Sequence, residues 1–124
     1  MSASKSVVHL LTPSMEGAYA DMKEFLETGD ETASCYFTDN DLIAIGAMRA
    51  FKEAGYRIPE DIAVIGFDDL PLTGVIEPAL STIHVPKQFM GEAAAQRLIS
   101  LIRSSKQPPI KIEVSTTLIQ REST

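Results

Sequence analysis

The six-residue run Ile62–Phe67 constrains the fold more than any other stretch of this chain. Its sequence is Ile-Ala-Val-Ile-Gly-Phe, apolar at nearly every position, and two aspartates, Asp68 and Asp69, end it abruptly. A strand that is apolar on both faces needs cover on both faces, as a parallel strand has between layers of helices. The run therefore predicts a buried strand at the centre of an α/β protein.

Two strand and helix pairs are predicted to precede this strand. Val7–Leu11 is a short apolar run, and Met15–Leu26 carries apolar residues at helical spacing. Ser34–Phe37 is a second short apolar run, and a second amphipathic pattern follows it to about Ala54. Strands and helices that alternate over short connections predict a doubly wound parallel sheet with right-handed crossovers.

A short polar segment comes directly after each of the three predicted strands. These segments are Thr12–Ser14, Thr38–Asp41 and Asp68–Asp69. Ligands of open parallel sheets bind beyond the carboxyl ends of the strands. We therefore expect the three segments to converge at one edge of the sheet, where they would form a ligand site.

The chain after Asp69 is less regular. A loop rich in proline and glycine is followed by a brief predicted strand, Leu80–His84, and by a helix with a broad apolar stripe that begins after Pro86. Apolar and polar residues then alternate over Ile112–Leu118, which predicts a half-exposed strand. No internal repeat is visible.

Composition excludes several classes of function. The chain has 124 residues with 11 basic and 17 acidic side chains, a net charge of -6, and no basic cluster, so it is not expected to bind DNA by itself. Its apolar runs are too short to span a membrane. The single cysteine, Cys35, is predicted to be a buried thiol, and the N-terminal residues lack the apolar core of a signal peptide. Both features favour a cytoplasmic protein.

Enzymatic alternatives find little support. Asp39–Asp41 and Asp68–Asp69 could hold Mg²⁺, as in a phosphatase or a phosphorelay receiver, but only 26 residues separate Asp41 from Asp68. That interval leaves no room for the other elements such proteins need. The chain also has no nucleophile elbow and no glycine-rich phosphate loop. A non-enzymatic protein without a cofactor or metal is therefore expected.

A binding module is the remaining interpretation. Carboxylate and amide groups can bond to adjacent hydroxyls, and an aromatic ring such as Phe37 can pack on the apolar C–H surface of a polyhydroxylated small molecule. Asn40 and Asp41 could instead cap the second helix. Asp68 follows a buried strand directly, so its carboxylate needs either donors within the protein or a ligand.

Several longer segments resemble a known family. Phe37–Ala50, Gly55–Ile62, Val64–Asp69 and Pro78–Ile83 resemble the effector-binding domain of lac repressor/galactose repressor family transcription regulators, in order and at the family's spacing. Leu118–Ser123 is similar to that family's C-terminal strand and tail. The resemblance covers nearly the whole chain.

The resemblance implies an incomplete periplasmic-binding-protein-like (type I) fold, in which two α/β subdomains enclose a small polar effector such as a sugar. Residues 1–78 would be most of the C-terminal subdomain, and 79–108 a crossover strand and helix that belong to the N-terminal subdomain. Residues 109–124 would be the return strand and tail. A DNA-binding headpiece, absent from this chain, would precede them. We then expect the apolar face of the crossover helix to be exposed, because its partners are missing.

The resemblance also implies roles for individual residues. Asp68 and Asn40 match ligand-binding positions, Phe37 matches a position from which some members stack an aromatic ring on the effector, and Asp41 matches an aspartate expected to cap the helix. A homodimer that changes its operator affinity on effector binding is implied. Near Pro13, where many members carry an aromatic residue, this chain has Leu-Thr-Pro-Ser, so the effector is not specified. The alternative is the equivalent part of an exported sugar-binding protein of a transport system, which shares the fold.

Overall fold

The computed structural model describes residues 7–104 and 106–124, so the N-terminal residues considered above for a signal peptide lie outside the described part. The elements are α1 (Met15–Glu27), β1 (Cys35–Phe37), α2 (Asp41–Glu53), β2 (Ala63–Asp68), a 3₁₀ turn (Pro71–Gly74), β3 (Ser81–His84), α3 (Lys87–Arg103) and β4 (Thr117–Ile119). No helix within the two described ranges has both the length and the apolar character needed to cross a bilayer.

The four strands form one mixed sheet in the order β1-β2-β3-β4. The first three are parallel, with Phe37 opposite Ile65 and Asp68 opposite His84. β4 runs antiparallel to β3. The prediction of an α/β fold is confirmed, and its parallel sheet is confirmed for β1 to β3, while the last strand makes the sheet mixed.

The core lies where α2 packs against both α1 and the sheet. Phe51 of α2, Met22 of α1 and Val64 of β2 are fully buried there. Gly46 allows the two helices to approach closely, because a Cβ atom at this position would lie 2.3 Å from the carbonyl oxygen of Met15. The core thus lies between α1, α2 and the sheet, and α3 contributes no buried residue to it.

The prediction that Val7–Leu11 is a buried strand is wrong. No strand is assigned there, and the side chains of Val8 and Leu10 are 80% and 92% exposed. His9 instead faces inward, with its ring 4.3 Å from that of Phe25 and 5.9 Å from that of Tyr36, measured between centroids. The segment therefore covers α1 and β1 without joining the sheet.

Two further predictions need correction. Cys35 is exposed rather than buried, because it lies on the same face of β1 as the exposed Phe37, opposite to the half-buried Tyr36. The strand predicted over Ile112–Leu118 begins only at Thr117, where the chain pairs with β3, and the preceding residues have no regular structure. Apolar alternation alone did not identify which residues would find a neighbouring strand.

The helix α3 has no buried residue along its 17 positions. Phe89, Leu98 and Ile102 are 56%, 59% and 76% exposed, which confirms that its apolar face is uncovered in this chain. A groove of about 450 Å³ runs between this face and the extended residues 110–114.

Candidate functional site

Contacts between β1 and β2 bring two of the three polar segments together. The backbone N–H of Thr38, directly after β1, donates to the carbonyl oxygen of Ile65 in β2 at 2.9 Å. The Thr38 hydroxyl donates to the carbonyl oxygen of Asn40 at 2.9 Å. The start of α2 is thus tied to the strand that ends in Asp68, as the parallel topology predicts.

The remaining polar segment, Thr12–Ser14, forms hydrogen bonds with α1. Ser14 is the N-cap of α1, and its hydroxyl accepts from the Gly17 N–H at 3.1 Å. The Thr12 N–H donates to the carboxylate of Asp21 at 2.6 Å, which lowers the pKa of that carboxyl. The segments that follow β1 and β2 therefore lie close together, as expected from the sequence. The strand expected before Thr12 does not form, and the contacts described for Thr12 and Ser14 are with α1.

Asp68 is the last residue of β2 and its side chain is about one-third exposed. Its backbone has φ 114°, a conformation that residues with a side chain adopt rarely. The ammonium group of Lys87 donates to its carbonyl oxygen and lies 4.0 Å from its carboxylate oxygen Oδ1. A carboxylate has about four acceptor sites, so this one retains the capacity to accept from a ligand.

Asp69 has a different environment, although it is the next residue. Its carboxylate accepts from Arg121 Nη2 at 2.8 Å and lies 2.9 Å from the Nδ1 atom of His84. The Arg121 guanidinium also donates to the Thr73 hydroxyl at 2.9 Å and to the Leu80 carbonyl oxygen at 2.8 Å. The hydrogen bond from Arg121 is the main reason that the pKa of Asp69 is lowered. Asp69 therefore joins the sheet to the C-terminal tail.

Asn40 is the N-cap of α2, and its Oδ1 atom accepts from the Ile43 N–H at 2.9 Å. The capping interpretation is thus confirmed for this residue. Capping uses only the amide oxygen, so the Nδ2 group keeps two N–H donors at the edge of the sheet. The capping bond and a ligand contact are compatible.

Asp41 does not cap the helix, which corrects the expected role. It is fully buried, and its two carboxylate oxygens accept from the Leu70 N–H at 2.7 Å and from the Thr82 hydroxyl at 2.5 Å. Asp41 thereby connects α2 to the loop after β2 and to β3. A signal was present in the sequence, since Asp41 begins a helix whose next positions are mostly apolar, but its partners lie 29 and 41 residues away.

Phe37 ends β1 with its side chain 64% exposed. Its ring meets that of Phe67 edge to face, with centroids 6.5 Å apart and planes at 84°. Phe67 supports one edge of the Phe37 ring, and the exposed remainder can pack on a ligand.

A groove of about 500 Å³ begins at two residues that contact the aspartates, His84 and Lys87. It is lined by His84, Val85, Pro86, Lys87, Gln88, Phe89 and Glu92. Sequence reasoning did not identify Lys87 or Arg121 as neighbours of the aspartates, because both lie in distant segments. Within the described residues, no group of three or more histidine, cysteine, aspartate or glutamate side chains is arranged to hold a metal ion.

Comparison with known proteins adds a family relationship to this geometry. Residues 3–124 match the family described as periplasmic binding protein-like domain. The chain is similar to the HTH-type transcriptional repressor PurR of Yersinia enterocolitica, with 39% identity over 108 residues, which cover 87% of this chain and 31% of the repressor.

Two solved structures show the same fold over most of the chain. One is a LacI family transcriptional regulator from Arthrobacter sp. FB24 in complex with lactose, with 33% identity and a TM-score of 0.79 over 92% of this chain and 42% of that one. The other is a LacI family regulator from Enterococcus faecium with bound ribose, with 31% identity and a TM-score of 0.80 over 92% and 41%. The chain therefore spans less than half the length of these relatives.

Proposed function

Because this chain belongs to the periplasmic binding protein-like domain family, in the form found in lac repressor/galactose repressor regulators, we propose that it is the effector-sensing part of a transcription regulator. The observation that carries the proposal is the contrast between the two aspartates after β2. Asp69 is engaged by Arg121 and His84, whereas the Asp68 carboxylate is one-third exposed and retains acceptor capacity.

The proposed effector is a small polyhydroxylated molecule, with a sugar favoured. Asp68 would accept hydrogen bonds from its hydroxyls, the Nδ2 group of Asn40 would donate to its oxygens, and the exposed part of Phe37 would pack on its C–H surface. The sugars bound by the Arthrobacter and Enterococcus regulators support this class of ligand. None of these roles requires a bond to form or break, so we propose a binding protein and not an enzyme.

The proposed mechanism is effector-dependent closure of a cleft between two subdomains. Residues 1–78 would supply one wall, 79–108 would cross into the other subdomain, and 109–124 would return. In a cytoplasmic homodimer, closure would shift the affinity of an upstream DNA-binding headpiece for its operator. The effector must bind one of the two states more tightly, because a ligand with equal affinity for both shifts nothing.

The upstream reading frame tests the proposed class of protein. A helix-turn-helix within the residues encoded before this chain supports the regulator. A signal peptide there, with no DNA-binding segment, would instead indicate an exported sugar-binding protein of a transport system.

A thermal-shift screen of the full-length protein tests the proposed ligand class. The panel would contain lactose, cellobiose, ribose and a set of nucleosides. We expect at least one sugar to raise the melting temperature in a concentration-dependent way, since a ligand that binds only the folded state stabilises it. No shift with any sugar would contradict the proposed effector class.

A further inference from the structure

Asp41 is a buried carboxylate that makes no contact expected of a ligand-binding residue. It has no exposed surface, and both of its oxygens accept hydrogen bonds, from the Leu70 N–H and from the Thr82 hydroxyl. Loss of either donor would leave a buried carboxylate oxygen without a hydrogen bond, which would strongly destabilise the folded protein. The side chain is therefore held between two segments of the sheet edge.

The strand β2 has a glycine, Gly66, where the Asp41 carboxylate packs against it. A Cβ atom at Gly66 would lie 2.3 Å from Asp41 Oδ1 and 3.4 Å from the Asp41 Cα atom. Asp41 consequently packs directly on the backbone of β2 at Gly66, which is two residues before Asp68 in the sequence. Glycine at position 66 is what permits this close approach.

The turn that Asp41 holds is conformationally unfavourable. Asp68 and Asp69 have φ 114° and 54°, values that residues with side chains adopt rarely. Such conformations persist only where the surrounding structure imposes them. The bond from Leu70 N–H to Asp41 fixes the residue just after the turn, and Thr82, which donates to Asp41, also accepts from the Asp69 N–H at 3.4 Å.

We propose that Asp41 is a positioning residue for the effector site, fixing Asp68 relative to Asn40 through Thr82 and Leu70. Asn40 precedes Asp41 in the chain and caps α2, whereas Asp68 lies at the start of the turn that Asp41 holds. One buried carboxylate thus sets the separation between an amide donor and a carboxylate acceptor that would contact the same ligand. This inference rests on the proposed function.

Substitutions at Thr82 test the proposal in the full-length protein. Thr82→Val keeps the shape of the side chain and removes the hydroxyl that donates to Asp41, while Thr82→Ser keeps the hydroxyl. The probe is lactose, cellobiose or ribose, whichever binds the wild-type protein most tightly by calorimetry. We expect Thr82→Val to weaken binding at least fivefold and Thr82→Ser to change it less than twofold.

Val64→Ala is the matched control for a role in stability alone. Val64 is fully buried in β2 but packs in the apolar core, so its truncation should lower the melting temperature without moving Asp68. We expect this variant, measured well below its melting temperature, to keep the wild-type affinity. If Thr82→Val is folded and also keeps that affinity, the bond between Asp41 and Thr82 does not position Asp68, and the proposal is overturned.

Hydrogen exchange in the wild-type protein gives a second test that needs no variant. Bound sugar should slow exchange of the Leu70 N–H at least tenfold more than exchange of the amides in the middle of α2. Equal slowing at both places would overturn the inference. A wild-type protein that binds none of the three sugars would instead contradict the proposed sugar effector, so the two failures are distinguishable.

Discussion

Asp68 and Asp69 show how two adjacent, chemically identical side chains acquire separate roles. The φ values of the two residues turn the chain sharply after β2, and only Asp69 then reaches Arg121. The side chain of Asp69 is 18% exposed and that of Asp68 is 36% exposed. The residue that stabilises the sheet edge is therefore distinct from the residue that remains able to bind a ligand.

The lowered pKa of Asp69 predicts a contribution to stability that depends on pH. Its folded pKa lies below the ordinary value of 3.8, so the stabilisation is present above pH 3.8 and is lost as the pH falls through the lowered value. We expect the free energy of unfolding, measured by urea titration, to fall less steeply between about pH 4 and pH 2 in Asp69→Asn than in the wild type. Asp68→Asn is the control, and an identical acid dependence of wild type and Asp69→Asn would contradict the assignment.

The sequence indicated where the candidate ligand residues lie in the fold, but not which side chains form hydrogen bonds and ion pairs with the neighbouring aspartates. The positions of Asp68 and Asn40 at the strand ends were predictable, because Asp68 ends β2, Asn40 comes shortly after β1, and parallel topology brings strand ends together. Arg121 lies 52 residues from Asp69, and Lys87 lies 19 residues from Asp68, so no local pattern joined them. The burial of Asp41 was likewise not apparent until the partners from β3 and the loop were in place.

At the start of α2, capping and ligand binding can be separated by substitution. Asn40→Ala removes the cap and should cost about 1 kcal/mol of stability. Asn40→Asp keeps an oxygen that accepts from Ile43 N–H, so stability should stay close to that of the wild type, but it removes the amide donor. We expect both variants of the full-length protein to bind the effector more weakly. Undiminished binding by Asn40→Asp in calorimetry would show that Asn40 only caps the helix.

The uncovered face of α3 predicts self-association of the 124-residue chain. Six of its large apolar side chains are at least 40% exposed, and such patches mark interaction surfaces or aggregation sites. They are Phe89, Met90, Leu98, Ile99, Leu101 and Ile102. We expect light scattering to detect dimers or larger species, or one chain to exchange this helix with a neighbour.

A double substitution on the same face provides the control for that prediction. Leu98→Glu with Ile102→Lys should shift the chain toward the monomer and reduce its binding of a hydrophobic dye. A wild-type chain that is monomeric and binds no such dye would contradict the interpretation of α3 as a helix lacking its packing partners.

The sequence predicted helices more reliably than strands for a physical reason. A helix makes its backbone hydrogen bonds within one segment, so α1, α2 and α3 were indicated by apolar spacing and caps alone. A strand needs a neighbour. Val7–Leu11 and most of Ile112–Leu118 have the apolar pattern of strands, but no described strand pairs with them.

For the whole chain, the C-terminal tail completes the described sheet. Ser123 is fully buried, its backbone carbonyl accepts from the Val64 N–H at 2.9 Å, and its hydroxyl donates to the Val64 carbonyl oxygen at 2.6 Å. The same hydroxyl accepts from the Ser81 N–H at 2.8 Å. Residues from the extreme end of the sequence thus hold β2 and β3, the strands that lead to the aspartates and to α3.

The chain spans 31% of the Yersinia repressor and about two-fifths of the two regulators with solved structures. In a longer regulator, the strand-end residues described above would form one wall of the effector cleft, and α3 would pack in the other subdomain. In that arrangement, the Asp68 carboxylate at the end of β2 would accept hydrogen bonds from the proposed effector.

Calorimetry of effector binding to full-length wild type and Asp68→Asn is the sharpest test of the proposed role of Asp68. The substitution removes the charge while keeping the size of the side chain, and Asp68 supports no other described side chain except Lys87. We predict at least tenfold weaker binding, about 1.4 kcal/mol, with an unchanged melting temperature in the absence of ligand. Equal affinity of the two proteins would remove Asp68 from the proposed effector site.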